Sequence, residues 1–323
     1  MYSFSKIQLT SQAVETIVKA QFGSQRKLCN FLELKEGLFN AAALLELDDG
    51  LKCVLKAAPP ADVQVLHYEK DILRAEVEAM RLVRAHTSVP MPEILAYDPS
   101  RSLLPSEYFL MTFLPGAPFH NIRRELNAEQ QAQVQREMGR LTRAISEISG
   151  PSFGYWAQPE PPGVSWRVCF LNMIDNVLRD GEAAGVDLAL PYAEIRQRIA
   201  THSAVLDEVT TPRLVHWDLW DGNVFVDPVS AQITGLIDFE RVLWGDPLIE
   251  AIFGDLKPDS QAVQGFGADV LSSPTQQTRR RLYNAYLYLI MVIECSYRHY
   301  ASNDQETWVR PLLAQVLDQL AAP

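Results

Sequence analysis

Alternating apolar and polar positions predict mixed helix and strand over the first third of the chain. Residues 10–20 have the apolar spacing of a short amphipathic helix. Residues 40–47 and 51–57 are two apolar runs separated by Asp-Asp-Gly at 48–50. An Asp-Gly pair between apolar runs favours a tight hairpin, because the turn needs residues that tolerate positive φ. The pattern therefore predicts an antiparallel hairpin that follows a helix.

A longer helix is predicted next, over residues 66–85. Leu73, Val77 and Met80 recur at i, i+4 and i+7, which places them on one face of that helix. Residues 107–114 form a short and nearly all-apolar run, which is typical of a buried strand. Together these segments predict a small antiparallel sheet accompanied by one long helix.

The remainder of the chain has a mostly helical pattern. Pro-Gly at 115–116 is a turn signal and the predicted boundary between an N-terminal lobe, residues 1–114, and a C-terminal lobe, residues 115–323. Helical periodicity covers residues 128–148, and two more helices are predicted from about residue 275. Three short strands are predicted between these helices, at residues 213–215, 224–227 and 233–237. The predicted fold class is α+β.

Composition narrows the range of partners. The formal net charge is −11, and binding to a nucleic-acid backbone requires a basic surface instead. The four cysteines are far apart, without the paired spacing of a zinc site. The first residues lack the apolar core of a signal peptide, and no apolar run approaches the ~20 residues of a membrane span. We expect a cytoplasmic protein that binds neither nucleic acid nor membrane.

The segment with the clearest chemical signature is 214–247. It contains His216, Asp218 and Asn223 in an HxDxxxxN pattern, and Asp238 follows the apolar run 233–237. Phosphoryl transfer needs a carboxylate that orients the attacking hydroxyl group, and Asp218 supplies one. It also needs a hard divalent cation, which prefers oxygen ligands such as those of Asn223 and Asp238. A tight loop and a returning hairpin would bring these groups together, as in the kinase template.

Upstream residues complete a nucleotide site in this interpretation. Lys56 ends an apolar strand and is assigned to the α- and β-phosphates. Val54 shares the face of Lys56 by strand alternation, so it is placed against the adenine ring. Glu76 lies on the apolar face of the predicted helix and is the expected partner of Lys56. Glu69 is the competing candidate for that pairing.

A loop before the hairpin is a candidate phosphate cover. The segment 36–40 has the sequence Glu-Gly-Leu-Phe-Asn, and Gly37 and Asn40 are its candidate nucleotide-binding residues. One glycine is a weak signal, and an ordinary turn explains the segment nearly as well.

With these residues in place, the chain resembles the aminoglycoside phosphotransferase family within the protein-kinase-like superfamily. The resemblance spans nearly the whole chain. It depends most on three blocks in the second half, which read HWDLWDGN (216–223), IDFE (237–240) and GDP (245–247). Weaker blocks occur in the expected order in the first half, and they read EGLFNA (36–41), VLK (54–56) and FLMTFLPG (109–116).

The resemblance implies a bilobal protein-kinase-like fold with its active site between a nucleotide-binding lobe and a catalytic, acceptor-binding lobe. It implies transfer of the γ-phosphoryl group of ATP or GTP to a hydroxyl group, with Mg²⁺ or Mn²⁺. Asp218 would be the catalytic base, and Asn223 and Asp238 the metal ligands. Met111 would line the back of the adenine pocket, while backbone groups of Thr112 and Leu114 would bind the base.

The acceptor is less well defined by the sequence. Arginines exceed acidic residues by one over residues 275–323, so this region is not a trap for a polycation. Choline, homoserine, fructosamine and macrolide kinases belong to the same superfamily, and Trp220 is similar to a residue of the fructosamine kinases. Trp217 stands where the family commonly has a small residue, and Glu250 where an Asp is expected. Neither departure is expected to contact the phosphate machinery.

Two other function classes fit these motifs less well. A non-catalytic kinase-like binding protein usually lacks the lysine, the base or the metal carboxylate, and this chain has all three. An unrelated hydrolase is disfavoured because the HxD…N…D order of this chain fits kinases better.

Overall fold

The computed structural model describes residues 6–34, 37, 39–254, 257–267, 269–300 and 302–321. Contacts within the chain group it into two units. The first comprises Met1–Val65, Pro92–Leu114 and Tyr297–Asn303, and the second Leu66–Met91, Pro115–Ser296 and Asp304–Pro323. One division between the units falls at the predicted boundary between residues 114 and 115.

The first unit is built on a five-stranded antiparallel sheet. Its strands are β1 (Leu28–Leu34), β2 (Ala41–Leu47), β3 (Lys52–Ala57), β4 (Ile94–Asp98) and β5 (Tyr108–Thr112). Their order across the sheet is β1-β2-β3-β5-β4. Helix α1 (Ser11–Phe22) begins at the N-cap Thr10, whose hydroxyl accepts a hydrogen bond from the Ala13 N–H.

Strand alternation decides which face of this sheet is buried in the core. On β2, every second residue from Ala41 to Leu47 is buried. These side chains pack with Cys53 and Leu55 of β3 and with the apolar face of α1. Val54 and Lys56 therefore point to the opposite face of the sheet. The predicted hairpin is confirmed, with Gly50 at a φ of 84° in its turn.

The second unit is mostly helical. Its helices are α2 (Ile72–His86), α3 (Phe119–Ile122), α4 (Ala128–Ser146), α5 (Trp166–Ala183), α6 (Tyr192–His202), α7 (Gln261–Phe266), α8 (Pro274–Arg298) and α9 (Asp304–Gln319). Its short strands are β6 (Ala117–Pro118), β7 (Gly154–Tyr155), β8 (Gln158–Pro159), β9 (Arg213–Val215), β10 (Val224–Val226), β11 (Ile233–Leu236) and β12 (Leu243–Gly245).

Two small sheets in this unit carry the segment with the HxD…N…D pattern. One has the order β11-β10-β6 and the other β8-β7-β12-β9. Gly116 allows the first of these sheets to form, because it has a φ of 98° and a side chain there would meet the Val226 carbonyl. The chain therefore passes from β9 in one sheet to β10 in the other through residues 216–223, here called the catalytic loop.

The structure departs from the predicted elements in several places. Strands β1 and β4 were not predicted, because exposed residues interrupt the apolar pattern of β1 and β4 is a short, half-buried strand. The predicted helix 66–85 begins only at Ile72, because residues 67–69 form a separate 3₁₀ turn and Asp71 is left-handed. Helix α2 also groups with the second unit.

The four cysteines are free, and none of the described helices is both long and apolar enough to cross a membrane.

Candidate active site

His216 links the start of the catalytic loop to the segment after β11. Its Nε2 lies 2.9 Å from the Ile237 carbonyl oxygen, and its Nδ1 accepts a hydrogen bond from the Asp218 N–H at 3.2 Å. Its ring packs on Phe239, with 4.3 Å between ring centroids. The imidazole is buried and occupied by these contacts. It therefore supports the loop and is not positioned as a base.

Asp218 and Asn223 face each other across the catalytic loop. The Asn223 Nδ2 donates to the Asp218 carbonyl oxygen at 2.9 Å and to its Oδ2 at 3.2 Å. Within the described residues, Oδ1 of Asp218 accepts no hydrogen bond, and Oδ1 of Asn223 has no donor. Each side chain thus keeps one oxygen for a ligand.

The hairpin of β10 and β11 returns Asp238 beside this loop. The Ile237 N–H donates to the Asn223 carbonyl oxygen at 3.1 Å, directly before Asp238. Asp238 adopts a left-handed conformation with a φ of 70°. Such a conformation is uncommon for a residue with a side chain and often marks a functional site. Asp218, Asn223 and Asp238, which the sequence pattern singled out, therefore lie in one region of the second unit.

A dense group of carboxylates surrounds this region. Oxygen atoms of Glu76, Asp238 and Glu240 lie within 4.8 Å of one another. The pKa of Asp218 is raised to about 8, mainly because the carboxyl group is buried. The charges of Asp238 and Glu240 also raise this pKa, and the charge of Arg241 lowers it. The site is therefore short of positive charge, which a divalent cation with oxygen ligands would supply.

Glu250 fixes the backbone on both sides of Asp218, and the sequence did not predict this role. Its carboxylate accepts hydrogen bonds from the Trp217 N–H at 2.8 Å and from the Leu219 N–H at 2.9 Å. The Glu250 side chain is fully buried. The expectation that Glu250 stays away from the phosphate machinery was wrong, because a segment 31 to 33 residues away in sequence folds back onto the loop.

Arg280 supports Glu250 from helix α8. Its Nη1 donates to the carbonyl oxygens of Leu248 and Glu250, and its Nε and Nη2 donate to Asn284 Oδ1. Desolvation lowers the pKa of the buried Arg280 to about 10. The guanidinium is therefore still charged at neutral pH, and its hydrogen bonds orient the backbone at Glu250.

Trp217, the other departure from the family pattern, anchors the loop in an aromatic group. It has a φ of 63° and is almost fully buried. Its ring stacks on Tyr286 of α8 at 5.3 Å and contacts Tyr155 edge-on at 5.7 Å. The guanidinium of Arg241 lies 5.8 Å from the Trp217 ring and 5.6 Å from the Tyr68 ring. A large residue at 217 thus connects the catalytic loop to α8 and to Arg241.

The candidate nucleotide residues of the first unit lie on adjacent strands. Val54 pairs directly with Met111 of β5, and Lys56 lies two residues further along β3 on the same face. Lys56, Val54 and Met111 are all buried. The sheet therefore presents an apolar surface flanked by a lysine, as expected for a purine and its phosphates.

Thr112 and Leu114 follow at the end of β5. The Thr112 N–H donates to the Glu93 carbonyl oxygen at 2.9 Å, so only its carbonyl group could bind a base. The Leu114 N–H donates to no carbonyl group within the described residues. One acceptor and one donor are thus presented two residues apart.

The remaining candidate residues have local structural contacts. The Gly37 carbonyl oxygen accepts a hydrogen bond from the Lys6 ammonium, and Asn40 is buried at the start of β2. Residues 36 and 38 of the candidate phosphate cover lie outside the described residues. Glu69 caps the turn before α2 by accepting from the Leu66 N–H at 2.8 Å. Its carboxylate is thus engaged locally, while Glu76 lies beside Asp238.

A five-stranded antiparallel sheet followed by a mostly helical part is the architecture of a kinase-like protein, and the Asp-Asn-Asp arrangement on short paired strands is typical of that class. The predicted α+β, protein-kinase-like fold is confirmed by similarity to solved kinase structures. The profile of the phosphotransferase enzyme family matches residues 31–254. The chain belongs to this family, and it is a small-molecule kinase.

Three known proteins illustrate the similarity. A probable ketoamine kinase from Vibrio cholerae is 25% identical over 221 residues, which cover 66% of this chain and 71% of that protein. A thermostable aminoglycoside phosphotransferase mutant, in a ternary complex with ADP and hygromycin B, aligns at a TM-score of 0.68 with 18% identity, covering 96% of this chain and 99% of its own. A candidate fructosamine-3-kinase from Thermobifida fusca aligns at 0.66 with 17% identity, covering 96% and 100%.

Proposed function

We propose that this kinase transfers the γ-phosphoryl group of ATP, or GTP, to a hydroxyl group that Asp218 orients. The observation that carries this proposal is the open Oδ1 of Asp218 within a loop whose backbone is held at both flanking amides by Glu250. The acceptor oxygen forms the new bond to phosphorus while the bond to the nucleoside diphosphate breaks. The hydroxyl proton passes to Asp218 late in this step, and then to solvent.

A divalent cation is the expected cofactor. Asn223 Oδ1 and an Asp238 carboxylate oxygen would hold Mg²⁺ or Mn²⁺, since these are hard oxygen ligands and the surrounding carboxylates create an excess of negative charge. When bound, the cation would offset the negative charge that develops on the phosphate oxygens. Asn223 donates to Asp218 and can simultaneously present its carbonyl oxygen to the cation, which would set the distance between base and metal.

The nucleotide is proposed to bind through the first unit. Val54 and Met111 would pack on the purine, with the Thr112 carbonyl oxygen and the Leu114 N–H bonding its edge. Lys56 would reach the α- and β-phosphates, with Glu76 as its partner, and Gly37 and Asn40 would cover the phosphates. Residues 1–114 would thus be the nucleotide-binding lobe and 115–323 the catalytic and acceptor-binding lobe. The use of a nucleoside triphosphate fits a cytoplasmic protein.

The acceptor is proposed to be a polyhydroxylated metabolite of the ketoamine type. The sequence similarity to a probable ketoamine kinase supports this class over an aminoglycoside. We expect ADP formation in the presence of Mg²⁺ to depend on such an acceptor. A coupled assay measures the ADP that is formed. A panel should compare sugar-derived ketoamines, choline, homoserine and an aminoglycoside. Absence of acceptor-stimulated ADP formation across the panel would contradict the proposed activity toward these classes.

A further inference from the structure

Arg241 is largely buried beside Asp218 and yet makes little use of its hydrogen-bonding capacity. Its side chain is only 13% exposed. Within the described residues it makes one hydrogen bond, from Nη2 to Glu294 Oε2 at 3.3 Å. A guanidinium group has five N–H donors in a planar fork. The remaining donors on the Nε and Nη1 side therefore have no protein acceptor in the described part of the chain.

The guanidinium is nevertheless held in a defined position. Its Cζ lies 5.6 Å from the centroid of the Tyr68 ring and 5.8 Å from that of the Trp217 ring. Glu294 of α8 is itself fixed, because its Oε1 accepts a hydrogen bond from Gln305 Nε2 at 2.7 Å. Arg241 is thus held by Glu294 and by its contacts with two aromatic rings, which pre-organises its remaining donors for a ligand.

Arg241 and Asp218 interact through their charges but form no ion pair within the described residues. A ligand that contacts both would place a hydroxyl group on Asp218 Oδ1 and another group on Arg241. A buried arginine fork is matched best by a planar carboxylate or another compact anion.

We propose that Arg241 is the specificity-determining residue for the acceptor, and that it binds a carboxylate or similarly compact anionic group carried by the hydroxylated acceptor. This inference rests on the proposed function, because it uses Asp218 as the site of the reacting hydroxyl group. A sugar joined to the amino group of an amino acid is the kind of acceptor that provides both groups. Aminoglycosides, which are polycations, would be poor acceptors.

The test compares two acceptors that differ only in charge, the ketoamine of glycine and that of glycinamide. With the wild-type protein we expect a kcat/KM for the carboxylate acceptor that is roughly 10- to 100-fold higher, the range for hydrogen bonds to a charged partner. Arg241→Gln should raise KM for the carboxylate acceptor by a similar factor and change KM for the amide acceptor by less than about twofold. Arg241→Lys should recover part of the preference, since it keeps the charge without the fork.

Two controls separate this role from a structural one. Arg196→Gln makes the same chemical change in α6, at an arginine paired with Asp175 and Glu182, and should leave the preference unchanged. The double variant Arg241→Gln with Glu294→Gln avoids leaving a buried carboxylate without its cation, and it serves if the single variant does not fold. It should show the same loss of preference.

The inference is overturned if the wild-type protein phosphorylates both acceptors with equal kcat/KM. It is also overturned if Arg241→Gln lowers kcat equally on both and raises KM for ATP, because Arg241 would then serve the transferred phosphoryl group. If neither acceptor is phosphorylated, binding decides the matter separately. Gluconate should raise the melting temperature of the wild-type protein more than sorbitol does, and Arg241→Gln should abolish this difference. If turnover fails but gluconate still stabilises the wild-type protein more than sorbitol does, only the proposed reaction is contradicted. If gluconate and sorbitol stabilise it equally, the anion site is contradicted.

Discussion

At the scale of single residues, Asp218 experiences opposing electrostatic effects. Its pKa is raised to about 8, mainly by desolvation and also by the charges of Asp238, Glu240 and Glu250, while the Arg241 charge opposes this rise. A base must be ionised to accept a proton, and a cation beside Asp238 would favour the ionised form. The carboxylate is therefore expected to be poorly ionised in the unliganded protein and to ionise as the metal–nucleotide complex binds.

Replacing Asp218 should separate catalysis from binding. Asp218→Asn keeps the shape and removes the charge, so nucleotide should bind normally while turnover falls roughly 10²–10⁴-fold, the usual contribution of a positioned base. Calorimetry and single-turnover rates on the same samples measure the two effects. Asp221→Asn is the matched control in the same loop, where the carboxylate pairs with Arg123. A fully active Asp218→Asn variant would remove the main support for the mechanism.

The difference in stability between the Asp218→Asn variant and the wild-type protein should depend on pH. The raised pKa means that protonated Asp218 favours the folded state, and this contribution is lost as the pH rises from its usual value of 3.8 through about 8. Asp218→Asn carries no such charge. Its melting temperature, relative to the unliganded wild-type protein, should therefore increase steadily from about pH 5 to about pH 8.5. A difference that stays constant or declines with pH would contradict the burial of this carboxylate.

Glu250 should support activity through the geometry of the loop. In Glu250→Gln an amide NH₂ replaces one acceptor opposite the Trp217 or Leu219 N–H, which leaves a buried donor unsatisfied at a cost of about 1–3 kcal/mol. We expect a lower free energy of unfolding and a kcat reduced beyond the loss of folded protein. Glu147→Gln, at an exposed position, is the control. Glu250→Asp should partly restore kcat, and a variant with lowered stability but unchanged kcat would make Glu250 merely structural.

At the scale of secondary-structure elements, strand β3 assigns its side chains to different tasks by alternation. Cys53 and Leu55 belong to the core of the first unit, and Val54 and Lys56 face away from it. Lys52 lies on the same face as Lys56 but is exposed at the start of the strand. The two lysines therefore offer a comparison in which residue type, strand and face are the same and only position differs.

Lys56→Ala should weaken nucleotide binding at least about tenfold, because a charge-assisted bond to the phosphates is lost. Lys52→Ala should bind nucleotide as the wild-type protein does. Titration calorimetry with ATP and Mg²⁺ provides the affinities, and thermal melting checks that both variants fold. Equal affinities for the two variants would show that Lys56 does not reach the phosphates.

At the scale of the whole molecule, the division into a sheet unit and a helical unit agrees with a kinase-like fold, and metal and nucleotide should stabilise it together. ATP at about 100 times its dissociation constant should add about 2.7 kcal/mol to the free energy of unfolding when Mg²⁺ is present. Without the cation the increment should be much smaller, since the phosphates then lack their partner at Asn223 and Asp238. Denaturant-induced unfolding curves recorded with ATP, with Mg²⁺ and with both give the free energies of unfolding to compare. Turnover that persists in excess chelator would contradict the metal requirement.

Local patterns along the chain were sufficient for the hairpin, the three strands from β9 to β11 and the spacing of Asp218, Asn223 and Asp238. Each depends on neighbours in sequence, since strand alternation and turn chemistry act over a few residues. The start of α2 was not predictable in this way. Leu73, Val77 and Met80 share the expected face, but the helix begins later than predicted. The Leu66 N–H donates to the Glu69 carboxylate, and this bond caps a separate turn that precedes α2.

The sequence by itself determined which residues are proposed to carry the chemistry, because phosphoryl transfer restricts both their types and their spacing. Only the tertiary structure decided how they are held. Glu250 reaches the catalytic loop from 31 residues beyond Leu219, and Trp217 stacks on Tyr286 of helix α8. Contacts between such distant segments have no fixed spacing, so no local pattern announces them. Burial by these segments also sets the charge balance around Asp218, since desolvation and neighbouring charges arise only once the chain has folded.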